Sequence, residues 1–298
     1  MRLSIAAAFL LTAVLPAQDK PEIVSLLGKP LAAREDTSGA VAKADAALAE
    51  DPKSLDRLLD AARARDGLLL YNQAIRMYTQ GIERPPDDVR FYRFRGHRYI
   101  STRRFDAAVA DLERARKLAP SSFDVAYHLA LAYYMRGEHG AAADEYGRCL
   151  GQKESGGALP AGWRDCASVA SNDDARVAMS DWRYRALRRA GRGEEAARLL
   201  DTIHEKMEVK ENQSYFSALL FYKGLREESQ ILDPAAAKGV ALPTIGYAVA
   251  NFHLVEGRTE KACQGFRRAV EDENWSAFGF IAAEVELARA SRSACGGR

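Results

Sequence analysis

An all-α solenoid of stacked antiparallel helix pairs is the fold the sequence predicts, and three observations carry it. Small residues recur at one interval: Ala40, Ala74, Ala108 and Ala142 stand 34 residues apart, and Gly28, Ala62, Gly96 and Ala130 repeat that spacing. Prolines mark the end of the same unit at Pro52, Pro86 and Pro120, with Glu154 breaking the series. Further on the interval shortens to 33, where Gly191, Gly224 and Gly257 each separate two helical runs, as Gly137 does before them. Small residues let the two helices of a pair approach closely, and proline stops a helix because it lacks the N–H and its ring collides with the preceding turn. Chance spacing does not align three such columns in one register.

Composition sets the outer bounds. With 298 residues, 47% hydrophobic and 28% charged, the chain is long and apolar enough for far more than one small core. Forty-three basic residues against 41 acidic ones leave a net charge of +2, without the basic excess that a partner made of phosphates demands, so nucleic acid is excluded as the main partner.

From the N-terminus, residues 1–17 read as a secretory signal: one basic residue, an apolar run from Leu3 to Leu15, then Pro16-Ala17 ahead of polar sequence. The run is shorter than the about 18 to 20 residues that span a bilayer, so the expectation is cleavage after Ala17 and no membrane anchor. No cysteine stands at the cut for lipid attachment, which places the mature chain in the periplasm or outside the cell.

Four repeats follow at 21–54, 55–88, 89–122 and 123–156, an N-terminal block over 21–156. The first half of the first, Glu22 to Leu31, holds both Gly28 and Pro30 and is read as a loop or a short helix. The pattern fails from Gly151 to Asp174, so 151–176 is treated as an irregular insertion; loops of this length are functional or disordered, and Asn172 supplies an N-cap for the next helix. Units at 177–209, 210–242 and 243–275 form a C-terminal block over 177–275, the middle one degenerate because Ser229 replaces the small-residue alanine and an irregular tail follows. Residues 276–291 form an amphipathic helix with Phe278, Ile281, Val285 and Leu287 and no helix after it, which suits a cap on the last apolar face.

The best-preserved unit is Val89–Ser122, with Gly96, Tyr99, Ala108, Leu112, Ala115 and Pro120 at positions 8, 11, 20, 24, 27 and 32. It resembles a tetratricopeptide repeat. The second half, with NDDARVAMSDW, LRRAGRGEEAARLLDTI and ENWSAFGFIAAEVELAR, also resembles a group of bacterial repeat proteins with no assigned activity. The resemblance implies a right-handed solenoid of about seven helix pairs, a concave groove lined by the first helix of each pair, and a protein or peptide partner.

In that family, positions 2, 5, 9, 12 and 13 point into the groove. Transferred here, they select Arg90, Arg93 and His97 in the third repeat and Arg185, Arg188 and Arg189 after the insertion, with Arg63, Asp56 and Asp66 in the second. Between the basic patches lie Tyr127, Tyr134 and Met135, and later Phe221, Tyr222, Tyr247 and Asn251. Alternating arginine and aromatic side chains suit an extended acidic segment with apolar anchors. Some family members clamp a C-terminal carboxylate with Lys at position 5 and Asn at 9; Arg93 and His97 stand there instead, so that specificity is not expected. On this reading Arg93 faces the groove, and its replacement leaves folding nearly unchanged.

No phosphate-cradling loop, nucleophile elbow, zinc helix or paired Cys-x-x-Cys is present, and no two of His97, His128, His139, His204 and His253 lie three or four residues apart, so no cofactor and no metal is expected. Of four cysteines, Cys149 and Cys166 either bridge, pinning the insertion, or Cys149 is simply buried at a small-residue position. The expected function is a non-catalytic scaffold of the bacterial envelope. The alternative is an enzyme or small-molecule binder in which the 151–174 insertion closes over Trp163, Asp165 and Asp173.

Overall fold

The computed structural model describes residues 21–85, 87–233, 241–290 and 295. The expected signal at 1–17 and the helix stop at Pro86 lie outside these residues. Fourteen α-helices appear among the described residues, and most follow the predicted pairs. The first helices of the pairs are α2 (Leu55–Gly67), α4 (Val89–Ser101), α6 (Phe123–Arg136), α8 (Asp173–Arg189), α10 (Gln213–Tyr222) and α12 (Ala241–Val255). Their second helices are α3 (Tyr71–Ile82), α5 (Phe105–Leu118), α7 (His139–Leu150), α9 (Gly193–Asp201), α11 (Glu228–Ile231) and α13 (Thr259–Ala269). Helix α1 (Ala40–Glu50) precedes them and α14 (Phe278–Ala290) follows.

Local chemistry explains the repeating boundaries. Ser54, Asp88, Ser122 and Asn172 each accept a backbone N–H with their side chains at the start of α2, α4, α6 and α8, satisfying a donor that the helix leaves orphaned. Within the pairs, Gly137, Gly191 and Gly257 turn the chain in the left-handed region, at φ 90°, 74° and 76°. Close packing inside a pair is also as predicted: a Cβ placed on Gly96 would lie 2.6 Å from Leu112 Cγ on the facing helix.

One expectation is corrected, and two segments read as irregular take definite form. The stretch read as a loop or short helix in the first repeat is a β-hairpin, with Ile23–Val24 (β1) paired antiparallel to Pro30–Leu31 (β2) around Gly28 at φ 80°. Pro30 cannot donate within a helix, and the hairpin buries Ile23 and Leu31 on one side against Leu69, Tyr71 and Trp275. In the unit 210–242 the second helix shrinks to the four residues of α11. The insertion is ordered: Cys149 and Cys166 are joined in a disulfide, Phe123 N–H donates to Arg164 O (2.9 Å), Cys166 N–H donates to Ser121 O (2.8 Å), and a 3-10 turn spans Cys166–Ser171. Cys149 is thus both bridged and buried. A second disulfide joins Cys263 on α13 to Cys295 beyond α14.

Helix α14 does more than cap the last pair. It packs on α12 and α13 and also reaches α6, so it lies along the first-helix face of the solenoid. Phe280, Ile281, Ala283, Glu284 and Val285 are all nearly inaccessible, and a helix buried on every side is a core element. Burying Phe280, Ile281, Val285 and Leu287 stabilises this placement by roughly 1.5–3 kcal/mol each. Their sum is comparable to the whole stability of an ordinary domain, about 5–15 kcal/mol, so α14 is not a loosely held ligand.

Candidate partner-binding surfaces

The predicted groove residues do lie on first helices, but most are buried or half-buried: α14 meets His97, Tyr127 and Arg189, and neighbouring first helices engage most of the others. Tyr134 Oη lies 2.6 Å from Tyr247 Oη and 3.3 Å from Asn251 Oδ1, and all three residues are buried. Arg185 is wholly inaccessible, ion-paired with Asp181, donating from Nε to Tyr222 Oη (3.2 Å) and lying 4.4 Å from the centre of the Trp182 ring. Arg189 Nη1 donates to Glu286 Oε1 of α14 at 2.7 Å, and Arg188 pairs with Glu256 at 2.5 Å. Phe221 meets Phe252 edge-on at 4.9 Å, and Tyr222 stacks on Tyr184 at 4.3 Å.

Nearer the N-terminus, His97 and His128 sit 4.3 Å apart, and the Phe278 ring of α14 lies 5.3 Å from one and 5.9 Å from the other, with Tyr127 beside them. Desolvation holds both imidazoles well below the usual histidine range; Arg98, the neighbouring ring and Arg93 reinforce this at His97, and Arg93 and Arg98 at His128. Desolvation likewise pushes the Tyr134 phenol up, to about 12. Arg93, expected on an open face, is only 9% exposed and pairs with Asp124 at 3.1 Å. The open wall postulated from the repeat positions is largely an interior wall, because the first helices pack on one another there and the cap helix folds back onto part of it.

The anchors of α14 gave little sign in the sequence. Glu284 is fully buried; one carboxylate oxygen accepts from Arg103 Nε (2.7 Å) and the other from Leu26 N–H in the hairpin turn (2.5 Å). Arg103 also donates to Trp275 O at 3.2 Å, while Trp275 Nε1 donates to Ala32 O at 3.0 Å. Arg103 (φ 62°) and Leu69 (φ 59°) occupy left-handed turn positions that later pairs fill with glycine. A side chain there costs about 1 kcal/mol of backbone strain, and both side chains grip the segment that enters α14. The one available signal was the absence of glycine at these two turns.

One stretch of the predicted groove stays open. Asp56, Arg63, Arg90 and Phe94, from α2 and the start of α4, face Trp163 of the insertion across a cleft of about 310 Å³. Arg90 is held by Asp56 and Asp88, each at 2.6 Å, whereas Arg63 is exposed and lies 5.2 Å from the Phe94 ring centre. The other insertion carboxylates are engaged structurally: Asp165 caps Ala167 N–H (2.8 Å) and Asp173 accepts from Glu208 N–H (2.8 Å). Among the described residues no group of three or more His, Cys, Asp or Glu could hold a metal, and no helix is long and apolar enough to cross a membrane.

Comparison with known proteins agrees with this architecture. Residues 95–150 match the tetratricopeptide repeat family. The crystal structure of a tetratricopeptide repeat protein from Parabacteroides merdae superposes with a TM-score of 0.50 at 13% identity, covering 82% of this chain and 91% of that one. The structure of Naa15/Naa10 bound to HypK-THB (TM-score 0.39, 14% identity, 84% of this chain and 37% of that one) and the P58(IPK) TPR domain (0.31, 17%, 84% and 69%) are more distant and add nothing to the fold assignment. No curated protein matches. The chain is an all-α solenoid with tetratricopeptide-like pairs, a fold that points to a protein-interaction scaffold.

Proposed function

We propose that the protein is a non-catalytic interaction scaffold of the bacterial cell envelope that holds an extended segment of a partner protein at the open, N-terminal end of its concave face. The observation that carries this reading is the cleft between α2, α4 and the insertion, where Arg63 at a groove position meets Phe94 of α4 and Trp163 of the insertion. Two aromatic rings beside an exposed guanidinium suit an apolar anchor next to a carboxylate. The envelope assignment rests on the apolar run at Leu3–Leu15 and on the two disulfides, which an oxidising compartment preserves. The enzyme reading loses support because Asp165 and Asp173 serve as backbone caps and only Trp163 of its three residues faces a cleft.

The test is a photo-cross-linking amino acid placed at Trp163 and, as control, at the exposed Lys117 on α5, in the intact chain expressed with its N-terminal segment. The expected result is a protein adduct from the envelope fraction at 163, absent at 117 and lost with Arg63→Glu. Adducts that persist in Arg63→Glu, or a small molecule carried by the purified protein and displaced by Trp163→Ala, would overturn the scaffold reading.

A further inference from the structure

A second cleft, of about 800 Å³, opens on the rim of the solenoid, where the turns after α4 and α6 meet the hairpin and the end of α14. Its charge is one-sided: Arg103, Arg104, Arg136 and Arg289 line it, with Asp106 as the one carboxylate in its wall. The whole protein carries only +2, so four arginines against one carboxylate make a local excess of positive charge. Arg103 is neutralised from behind by Glu284, and Arg136 pairs with Glu138 and, at 3.6 Å, with Asp106. Arg104 and Arg289 are exposed and bonded only to neutral acceptors: Arg104 to Asn72 Oδ1 and Arg289 to Met135 O, each at 2.6 Å. Neither has a carboxylate partner among the described residues. Between these guanidiniums the wall is apolar, made by Phe105, Val285 and Leu26, the last 44% exposed at the hairpin turn.

We propose that this rim cleft is a docking site for an acidic peptide segment of a partner protein that carries at least one large apolar residue beside its carboxylates. The molecule already contains a small version of this recognition. On the inner side of the same turn α14 presents Glu284 to Arg103, and farther along it presents Glu286 to Arg189 at the end of α8, with Ile281 and Val285 packed alongside. The outer cleft offers two further arginines next to exposed apolar surface, and charge-assisted, bidentate-capable guanidiniums are suited to a second carboxylate-bearing segment. The four contributing elements are distant in sequence, so the cleft exists only while both ends of the chain are closed onto each other, and an occupant there recognises the closed molecule. This site is independent of the cleft at Trp163.

The probe is a short fluorescein-labelled peptide of alternating glutamate and leucine, titrated with the mature chain at low ionic strength and read by anisotropy, beside lysine–leucine and glutamate–serine controls. The glutamate–leucine peptide should bind, the lysine peptide should not, and the serine peptide should bind about tenfold more weakly. Arg104→Ser and Arg289→Ser should each weaken binding by about fivefold, as an exposed charge-assisted contact does, and added salt should shrink both effects. Arg63→Ser removes only what the other cleft binds, so in that background Arg104→Ser should weaken the remaining binding by the same factor. Because Arg289 also caps the end of α6, Leu26→Ser supplies a second reading: it should weaken the leucine peptide and not the serine one. Binding indifferent to Arg104→Ser and Leu26→Ser would overturn the proposal. So would association with phosphatidylglycerol vesicles in the absence of peptide binding, which would make the surface one for lipid.

Discussion

The middle and the N-terminal end of the concave face are built from the same residue types, with Arg185 and Arg63 at the same repeat position, yet one is core and the other is surface. In the middle, Arg185, Tyr134 and Tyr247 are sealed from water where α6, α8 and α12 pack on one another. At the N-terminal end, Arg63, Arg90 and Phe94 stand at comparable places and remain at least partly exposed, and α1 has no buried residue at all. Arginine and tyrosine are long and amphipathic, so each satisfies either environment once its polar tip finds a partner. What separates the two regions is whether other helices pack across them.

The largest effect should come from breaking the clamp on α14. Glu284→Ala leaves Arg103 buried without its charge partner and should cost about 3–5 kcal/mol, while Arg103→Met with Glu284→Leu should recover most of the loss. Chemical denaturation of these proteins beside the single variants Arg103→Met and Glu284→Leu measures this; strictly additive single changes would mean that the pair is uncoupled.

Opening the disulfides comes next. In the chain-entropy account, closing a loop of 17 or 32 residues stabilises by roughly 3 to 4 kcal/mol, the longer by about half a kcal/mol more. Cys263→Ser with Cys295→Ser should therefore lower stability slightly more than Cys149→Ser with Cys166→Ser. Limited proteolysis sharpens the comparison: the first pair should expose cleavage near α14, and the second should expose cleavage only within 151–165. Identical cleavage patterns would contradict the separate roles of the two bridges.

Gly96→Leu, at a contact with no room for a side chain, should cost about 1–3 kcal/mol, against less than about 0.5 for Arg63→Ala on the open stretch. Equal melting temperatures would erase the distinction between interior wall and open cleft.

The smallest effect is a pH slope. His97 and His128 are depressed in the folded state, so on acidification the unfolded chain takes up their protons first. Their neutral, buried state costs nothing above about pH 6.5, and stability is lost progressively as pH falls below that value. The expected loss is about 1 kcal/mol per histidine between pH 6.5 and 5.5, and it should be halved in His97→Gln or His128→Gln. Slopes identical in wild type and both variants would place the pair outside the α14 contact.

Much of the architecture was readable because its determinants are local. A capping asparagine before a helix, a glycine between two helices and a small residue facing its neighbour act within one pair, and Asn172, Gly96, Gly137 and Gly191 do what their positions imply. The bridge from Cys149 to Cys166 was likewise one of two readings open from chain proximity alone. The groove residues were correctly placed on the first-helix face and incorrectly taken to face solvent, since a repeat position specifies a direction and says nothing of what lies there.

The sequence by itself therefore determined the helix pairs, their turns and the wall they share. Only the tertiary structure decided where the unpaired last helix goes and what becomes of the hairpin. Those outcomes depend on Leu26, Arg103 and Trp275 meeting residues between 172 and 258 positions away. Helical periodicity marks α14 as amphipathic, but an apolar stripe is compatible with any apolar surface. Its docking is selected by a buried carboxylate whose two oxygens find Arg103 and the hairpin N–H at once, a coincidence in space with no periodic trace along the chain.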